Sequence, residues 1–122
     1  MGKKVLIADD EPNIVASLEF LLRQKGYEVH VAHAGDDALA AVASFAPDLV
    51  LLDVMMPRMS GYDVCQKLRE NPATRALPII MLSAKGREVE VTKGMAVGAD
   101  AYVTKPFSTK DLVARVQQML GE

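Results

Sequence analysis

Five residues with chemistry of their own stand at the ends of apolar runs in this chain. Asp9 and Asp10 follow Val5-Leu6-Ile7-Ala8, and Asp53 follows Leu49-Val50-Leu51-Leu52. Ser83 follows Ile79-Ile80-Met81-Leu82, and Lys105 follows Ala101-Tyr102-Val103-Thr104. Short apolar runs of this kind read as buried parallel strands, and an open α/β sheet binds ligands at the carboxyl ends of its strands. Three acids, a hydroxyl and an amine are therefore expected on one rim. The acids repel one another, and a single ammonium cannot balance them. Mg²⁺ would, because it prefers hard oxygens from carboxylates, phosphate and water. Next to it, one carboxylate could attack a phosphorus centre and become an acyl phosphate. Lys105 and Ser83 could then bond the phosphoryl oxygens.

The elements that must position these residues follow from the pattern between them. Apolar runs alternate with helix-like segments, which predicts a doubly wound α/β fold. Asp10 or Glu11 can cap a first helix with Pro12 in its opening turn; Ile14, Leu18, Leu21 and Leu22 form its apolar face and Gly26 its stop. Glu28 to Ala32 alternates in character as a strand with one face less buried. An Ala-rich helix runs from Gly35 to Phe45, the strand Leu49–Asp53 follows, and a third helix spans about Tyr62 to Glu70 before Asn71-Pro72. Pro78 opens the next strand. A weaker helix covers about Glu88 to Val97 with Gly94 inside it, and the last helix, capped by Ser108 or Thr109, buries Leu112, Val116 and Leu120. The expectation is a five-stranded parallel sheet of order 2-1-3-4-5 with five helices on its two faces. That order sets Asp9 and Asp10 across from Asp53.

Composition narrows the classes. The chain's 122 residues suit one domain with one core, read here as a single domain over 1–122 with no effector domain. A net charge of −2 gives no general attraction for nucleic acid. The lone Cys65 cannot form an internal disulfide, there is no signal-peptide pattern, and no apolar stretch nears the roughly 20 residues of a membrane span. A cytoplasmic location is expected, with no membrane partner.

Each feature has a plainer reading when taken alone. Asp9-Asp10 could be a reinforced helix cap, Ser83 a turn residue and Lys105-Pro106 a simple turn. Tyr102 could be a half-buried strand aromatic, Cys65 a small core residue, and the methionines at 55, 56, 59 and 81 packing or loop residues. The set in order is more specific. Asp9-Asp10-Glu11-Pro12, Asp53-Val54-Met55-Met56-Pro57 with Ser60-Gly61, Ser83-Ala84, and Gly98-Ala99-Asp100 before Lys105-Pro106-Phe107 resemble the receiver domain of bacterial two-component response regulators across nearly the whole chain.

The resemblance implies that Asp53 is a phosphoacceptor, served by a sensor histidine kinase or a histidine phosphotransfer protein. It implies that Asp10, Asp53 and the Met55 backbone carbonyl hold Mg²⁺, with Asp9 acting through water. Lys105 would pair with the phosphate ahead of a cis peptide to Pro106, and Ser83 would move to the phosphoryl oxygen. Ala84 would leave room for phosphate entry, and Tyr102 would be an aromatic switch. Met55 and Lys85 would influence the acyl-phosphate lifetime. Such a domain is no enzyme for external substrates; it catalyses only its own phosphorylation and autodephosphorylation.

The rivals fit less well. A flavodoxin needs a Ser/Thr/Gly phosphate loop where this chain has Asp-Asp-Glu-Pro-Asn, and no G-x-G-x-x-G fingerprint follows a strand. A Mg²⁺-dependent aspartyl phosphatase usually carries a second Asp two residues after its nucleophile, where Met55 stands. A phosphate-independent interaction module would have no need of all five key residues. Ala101 departs from the Gly-Ala-Asp-Asp-Tyr pattern common in receivers joined to DNA-binding domains, yet Lys93, Asp111 and Arg115 could still serve a homodimer through helix 4, strand 5 and helix 5.

Overall fold

A computed structural model describes residues 2–84 and 88–121, with Glu88 described by its backbone; Lys85 lies outside the described residues. Ten elements alternate along the chain. They are β1 (Lys4–Ala8), α1 (Pro12–Gln24), β2 (Glu28–Ala32), α2 (Gly35–Phe45), β3 (Leu49–Asp53), α3 (Gly61–Glu70), β4 (Ile79–Ser83), α4 (Glu88–Ala96), β5 (Ala101–Thr104) and α5 (Thr109–Met119). All pairings are parallel and the order is β2-β1-β3-β4-β5, as the sequence predicts.

The three central strands have no polar face because helices cover both sides, and their alternate residues feed two separate cores. Val5, Ile7, Leu49, Leu51, Ile80 and Leu82 pack with Leu18 and Leu22 of α1 and Leu112 and Val116 of α5. Leu6, Ala8, Val50, Leu52, Ile79 and Met81 pack with Ala38 and Val42 of α2 and Val64, Cys65 and Leu68 of α3. Cys65 is thus a small core residue. Helix α4 is the exception: among its described residues only Gly94 is buried. A Cβ there would stand 2.8 Å from the Tyr102 ring and 3.0 Å from the Met81 sulfur, so glycine lets the helix lie directly on β5. No helix among the described residues is long and apolar enough to cross a membrane.

Four local outcomes differ from the sequence reading or refine it. Glu11 occupies the cap position of α1, but neither its side chain nor that of Asp10 caps the helix. Helix α3 starts at Gly61 because Ser60 Oγ accepts the Asp63 N–H at 3.2 Å and sets the cap one residue earlier. Helix α4 ends at Ala96, where the chain tightens toward Gly98, whose φ is 111°. Ser108, not Thr109, caps α5 by accepting the Asp111 N–H.

At the edge of the sheet opposite the acidic rim, Arg69 joins three segments. Its guanidinium donates to the carbonyls of Gly98 at 2.9 Å, Arg75 at 3.1 Å and Leu77 at 2.7 Å, and to Asp100 Oδ2 at 3.0 Å. The same Asp100 oxygen accepts the Ile79 N–H at 2.8 Å. Truncation at Arg69 would orphan several of these acceptors at once. Arg69→Ala is expected to cost about 2–4 kcal/mol of folding stability, measurable by urea denaturation, with Arg69→Lys recovering only part of it.

Candidate functional site: the acidic rim

The parallel register brings the predicted residues together at the carboxyl ends of β1, β3 and β4 and in the turn after β5. Ala8 pairs with Leu52, Asp53 with Leu82, and Ser83 with Thr104, so each functional residue ends or follows its strand at the same level. Backbone bonds fix the level further. The Val54 N–H donates to the Leu82 carbonyl at 3.0 Å and the Lys105 N–H to the Ser83 carbonyl at 2.7 Å. Behind Asp53, a Cβ on Gly61 would stand 2.3 Å from the Asp53 carbonyl oxygen. The missing side chain lets α3 begin against the end of β3.

Oxygens of Asp9, Asp10 and Asp53 lie within 4.8 Å of one another. Asp9 and Asp53 are buried and Asp10 is exposed at the mouth. Asp9 Oδ1 accepts the Glu11 N–H at 2.8 Å, and Asp53 Oδ1 accepts the Met55 N–H at 3.2 Å. Asp9 Oδ2 is fully buried and accepts no hydrogen bond. Its 3.1 Å separation from Lys105 Nζ is therefore an ion-pair contact with poor hydrogen-bond direction. A buried, underserved carboxylate oxygen beside two more acids is a hard-oxygen set that could hold a divalent cation.

Lys105 is the one cation found among these acids in the described residues. Its side chain is 9% exposed, and its amine also lies 3.5 Å from Asp53 Oδ2 and hydrogen-bonds Glu11 Oε1. Burial opposes its charge, but the bond to Glu11, the close contact with Asp9 and the charges of Asp53 and Asp9 outweigh it and hold the amine above its ordinary value. Asp53 is pushed the other way. Burial, then the charge of Asp9, raise its carboxyl from 3.8 to about 6 against the pull of Lys105 and the Met55 N–H. The Lys105-Pro106 peptide is cis.

The remaining predicted residues surround this centre. Ser83 is fully buried at the end of β4, Ala84 is exposed beside it, and Met55 projects into solvent at 58% exposure. Tyr102 is half-buried on β5, with its ring against Gly94 and its side chain in contact with Tyr62. Tyr62 in turn donates to the Glu90 carbonyl of α4 at 3.3 Å, and Lys93 lies over its ring at 4.5 Å. Burial and the contact with Tyr102 push the Tyr62 phenol up to about 12. Lys93, read as a dimer-face charge, is thus engaged within its own chain.

Sequence reasoning missed two participants. One is Glu11, for which glutamate's weakness as a helix cap was the available signal. The other is Arg58, whose backbone takes a φ of 67° and whose guanidinium binds Asp36 at 2.8 Å and Asp37 at 2.9 Å, tying the loop after β3 to α2.

Residues 5–117 match the family described as the response regulator receiver domain. The chain belongs to that family. A putative response regulator from Chloroflexus aurantiacus J-10-fl is 38% identical with a TM-score of 0.92, all of both chains being covered. The DrrB receiver domain activated by BeF3 is 36% identical at a TM-score of 0.88, again over all of both chains. The receiver domain of a sensor histidine kinase from Pseudomonas aeruginosa PAO1, solved with a magnesium ion coordinated in its active site cleft, is 27% identical at 0.89 over both whole chains. As a receiver domain of the two-component systems, this chain is of a kind that acts with sensor histidine kinases.

The raised Asp53 carboxyl has a consequence for stability. The folded chain binds more protons than the unfolded one between pH 3.8 and about 6, so this group's contribution is intact below that window and is lost as pH rises through it. Asp53→Asn removes the ionisation. Without divalent cations its stability is expected to match the wild type near pH 4 and exceed it by about 1–3 kcal/mol at pH 7. Urea denaturation across that range checks this; a difference that stays constant with pH would refute it.

Proposed function

We propose that Asp53 accepts a phosphoryl group from a phosphohistidine on a sensor kinase or a histidine phosphotransfer protein, and that the domain is the switch this modification throws. The supporting observation is a buried carboxylate at the end of β3, beside two acids within 4.8 Å and an amine at 3.5 Å. Asp10, Asp53 and the Met55 carbonyl would hold Mg²⁺, with Asp9 contributing through water. When bound, the cation offsets the acids' repulsion and draws charge from the transferring phosphoryl oxygens.

The chain's own residues account for the rest. An oxygen of Asp53 forms the new P–O bond as the P–N bond to the donor imidazole breaks, the electron pair leaving on the ring nitrogen. Lys105 moves from its acidic partners to the phosphoryl oxygens and stabilises the charge gathering there. Ser83 donates its hydroxyl to the same group, and Ala84, with no side chain past Cβ, leaves the approach open. Water returns the acyl phosphate to the carboxylate, so the domain catalyses only its own modification and its reversal.

Phosphorylation adds charge and strong acceptor oxygens at the point where β3, β4 and β5 meet. The element with the least anchorage is α4, whose one buried residue among those described is Gly94. Movement of Ser83 would reach it through Tyr102, which lies against Gly94. Val89 and Met95 stand exposed on α4, so the helix 4, strand 5 and helix 5 surface is the face offered to a partner or to a second copy. An exchange with kinase phosphohistidine fits a cytoplasmic location.

Incubation with acetyl phosphate followed by intact-mass analysis tests the reading. Wild type is expected to gain one phosphoryl group only with Mg²⁺ present, and Asp53→Asn to gain none. No adduct with acetyl phosphate, and no spectral response to beryllofluoride, would reduce the cluster to a structural role. Lys105→Ala is expected to remain phosphorylatable while the NMR shifts of α4 and β5 respond less; a full response would remove Lys105 from the switch.

A further inference from the structure

Glu11 is the fourth carboxylate at the rim, and its place there has no local explanation. It occupies the cap position of α1, where Ser, Thr, Asp or Asn would bond the helix's free N–H groups, yet its side chain makes no capping bond. It also lies outside the trio of acids whose oxygens converge. Its Oε1 is instead spent on Lys105 Nζ, in the closest of that amine's three acidic contacts; the other two are 3.1 Å to Asp9 and 3.5 Å to Asp53. The Glu11 carboxylate is 54% exposed, whereas the Asp9 and Asp53 oxygens lie inside the rim. The amine is thus drawn toward the mouth of the site and stands farthest from the carboxylate proposed to take the phosphoryl group.

We propose that Glu11 is a latch on Lys105: in the unphosphorylated domain it holds the amine away from Asp53, and its release limits how fast phosphoryl transfer can occur. This rests on the phosphoacceptor reading of Asp53. Glu11 touches neither donor nor acceptor; it is a positioning residue that acts through Lys105. The contact is one charge-assisted bond at a half-exposed acid, and Lys105 must break it to reach the phosphoryl oxygens. The identity of residue 11 would then set the domain's readiness to be phosphorylated without altering the acceptor, the metal ligands or the amine.

The test uses two variants. Glu11→Gln keeps the shape and removes the charge. Glu11→Ser removes the latch and supplies a preferred helix cap, so its folding is not at risk. Phosphorylation rates are measured with Mg²⁺ and two donors, acetyl phosphate and the less negatively charged phosphoramidate, and the Lys105 ammonium signal is followed by ¹⁵N NMR in the unmodified proteins. Both variants are expected to phosphorylate about three- to tenfold faster, by a similar factor with either donor. Their Lys105 ammonium signal should shift or broaden, and Glu11→Ser should melt higher than wild type. An unchanged or slower rate would overturn the latch, as would an undisturbed Lys105 signal. A gain confined to acetyl phosphate would overturn it too, since that pattern is only relief of charge repulsion with the donor. These results leave Asp53 as phosphoacceptor, because the wild type still forms its adduct. No adduct on any protein from either donor would instead remove the phosphoacceptor reading and the latch together.

Discussion

Carboxylates crowded around one ammonium at the end of a hydrophobic sheet are the constraint on which the rest of this structure depends. Asp9 and Asp53 are buried, so their repulsion is not screened as it would be in water. The fold answers with Lys105, placed by a backbone bond from its own N–H to the Ser83 carbonyl and shared among Asp9, Glu11 and Asp53. The answer is partial. Asp53 is left with a raised proton affinity, and Asp9 Oδ2 with no accepted hydrogen bond. Among the described residues, these acids form a set that could hold a divalent cation, and the Lys105 amine has several carboxylates within reach.

The scaffold tolerates this tension because its stability lies elsewhere. The apolar residues of β1, β3 and β4 alternate between two cores, one under α1 and α5 and the other under α2 and α3. At the opposite edge, Arg69 and Asp100 tie α3, the approach to β4 and the approach to β5 together. The acidic rim and α4 sit outside this framework. Among the described residues, helix α4 rests on Tyr102 through a glycine and meets Tyr62 through the Glu90 carbonyl and the Lys93 ammonium, with no large apolar side chain of its own buried. The rigid framework and the proposed switch are thereby separated within one small sheet.

Much of this was legible because it follows from periodicity and punctuation. Continuous apolar runs mark the central strands, Asn71-Pro72 and Gly26 mark helix ends, and the acids fall where those runs stop. Less was legible wherever a residue departs from its usual local role. Ala46 closes α2 in a left-handed conformation, φ 51°, that an alanine gives no reason to expect. Glu11 holds a capping position without capping. Arg69 reads as an ordinary surface cation at the end of α3, and only the folded chain brings the Gly98 and Leu77 carbonyls to it.

The sequence by itself determined the element order, the parallel sheet and the residue types delivered to its rim, because burial pattern and chain punctuation are properties of neighbours along the chain. The tertiary structure alone decided how the charges are shared: that Lys105 bonds Glu11 more closely than Asp53, that Asp9 keeps an unserved oxygen, and that Tyr102 is linked to Tyr62 under α4. These depend on distances between residues as far apart along the chain as Asp9 and Lys105. Electrostatic energies change steeply over an ångström, and no local pattern in the chain encodes separations of that size.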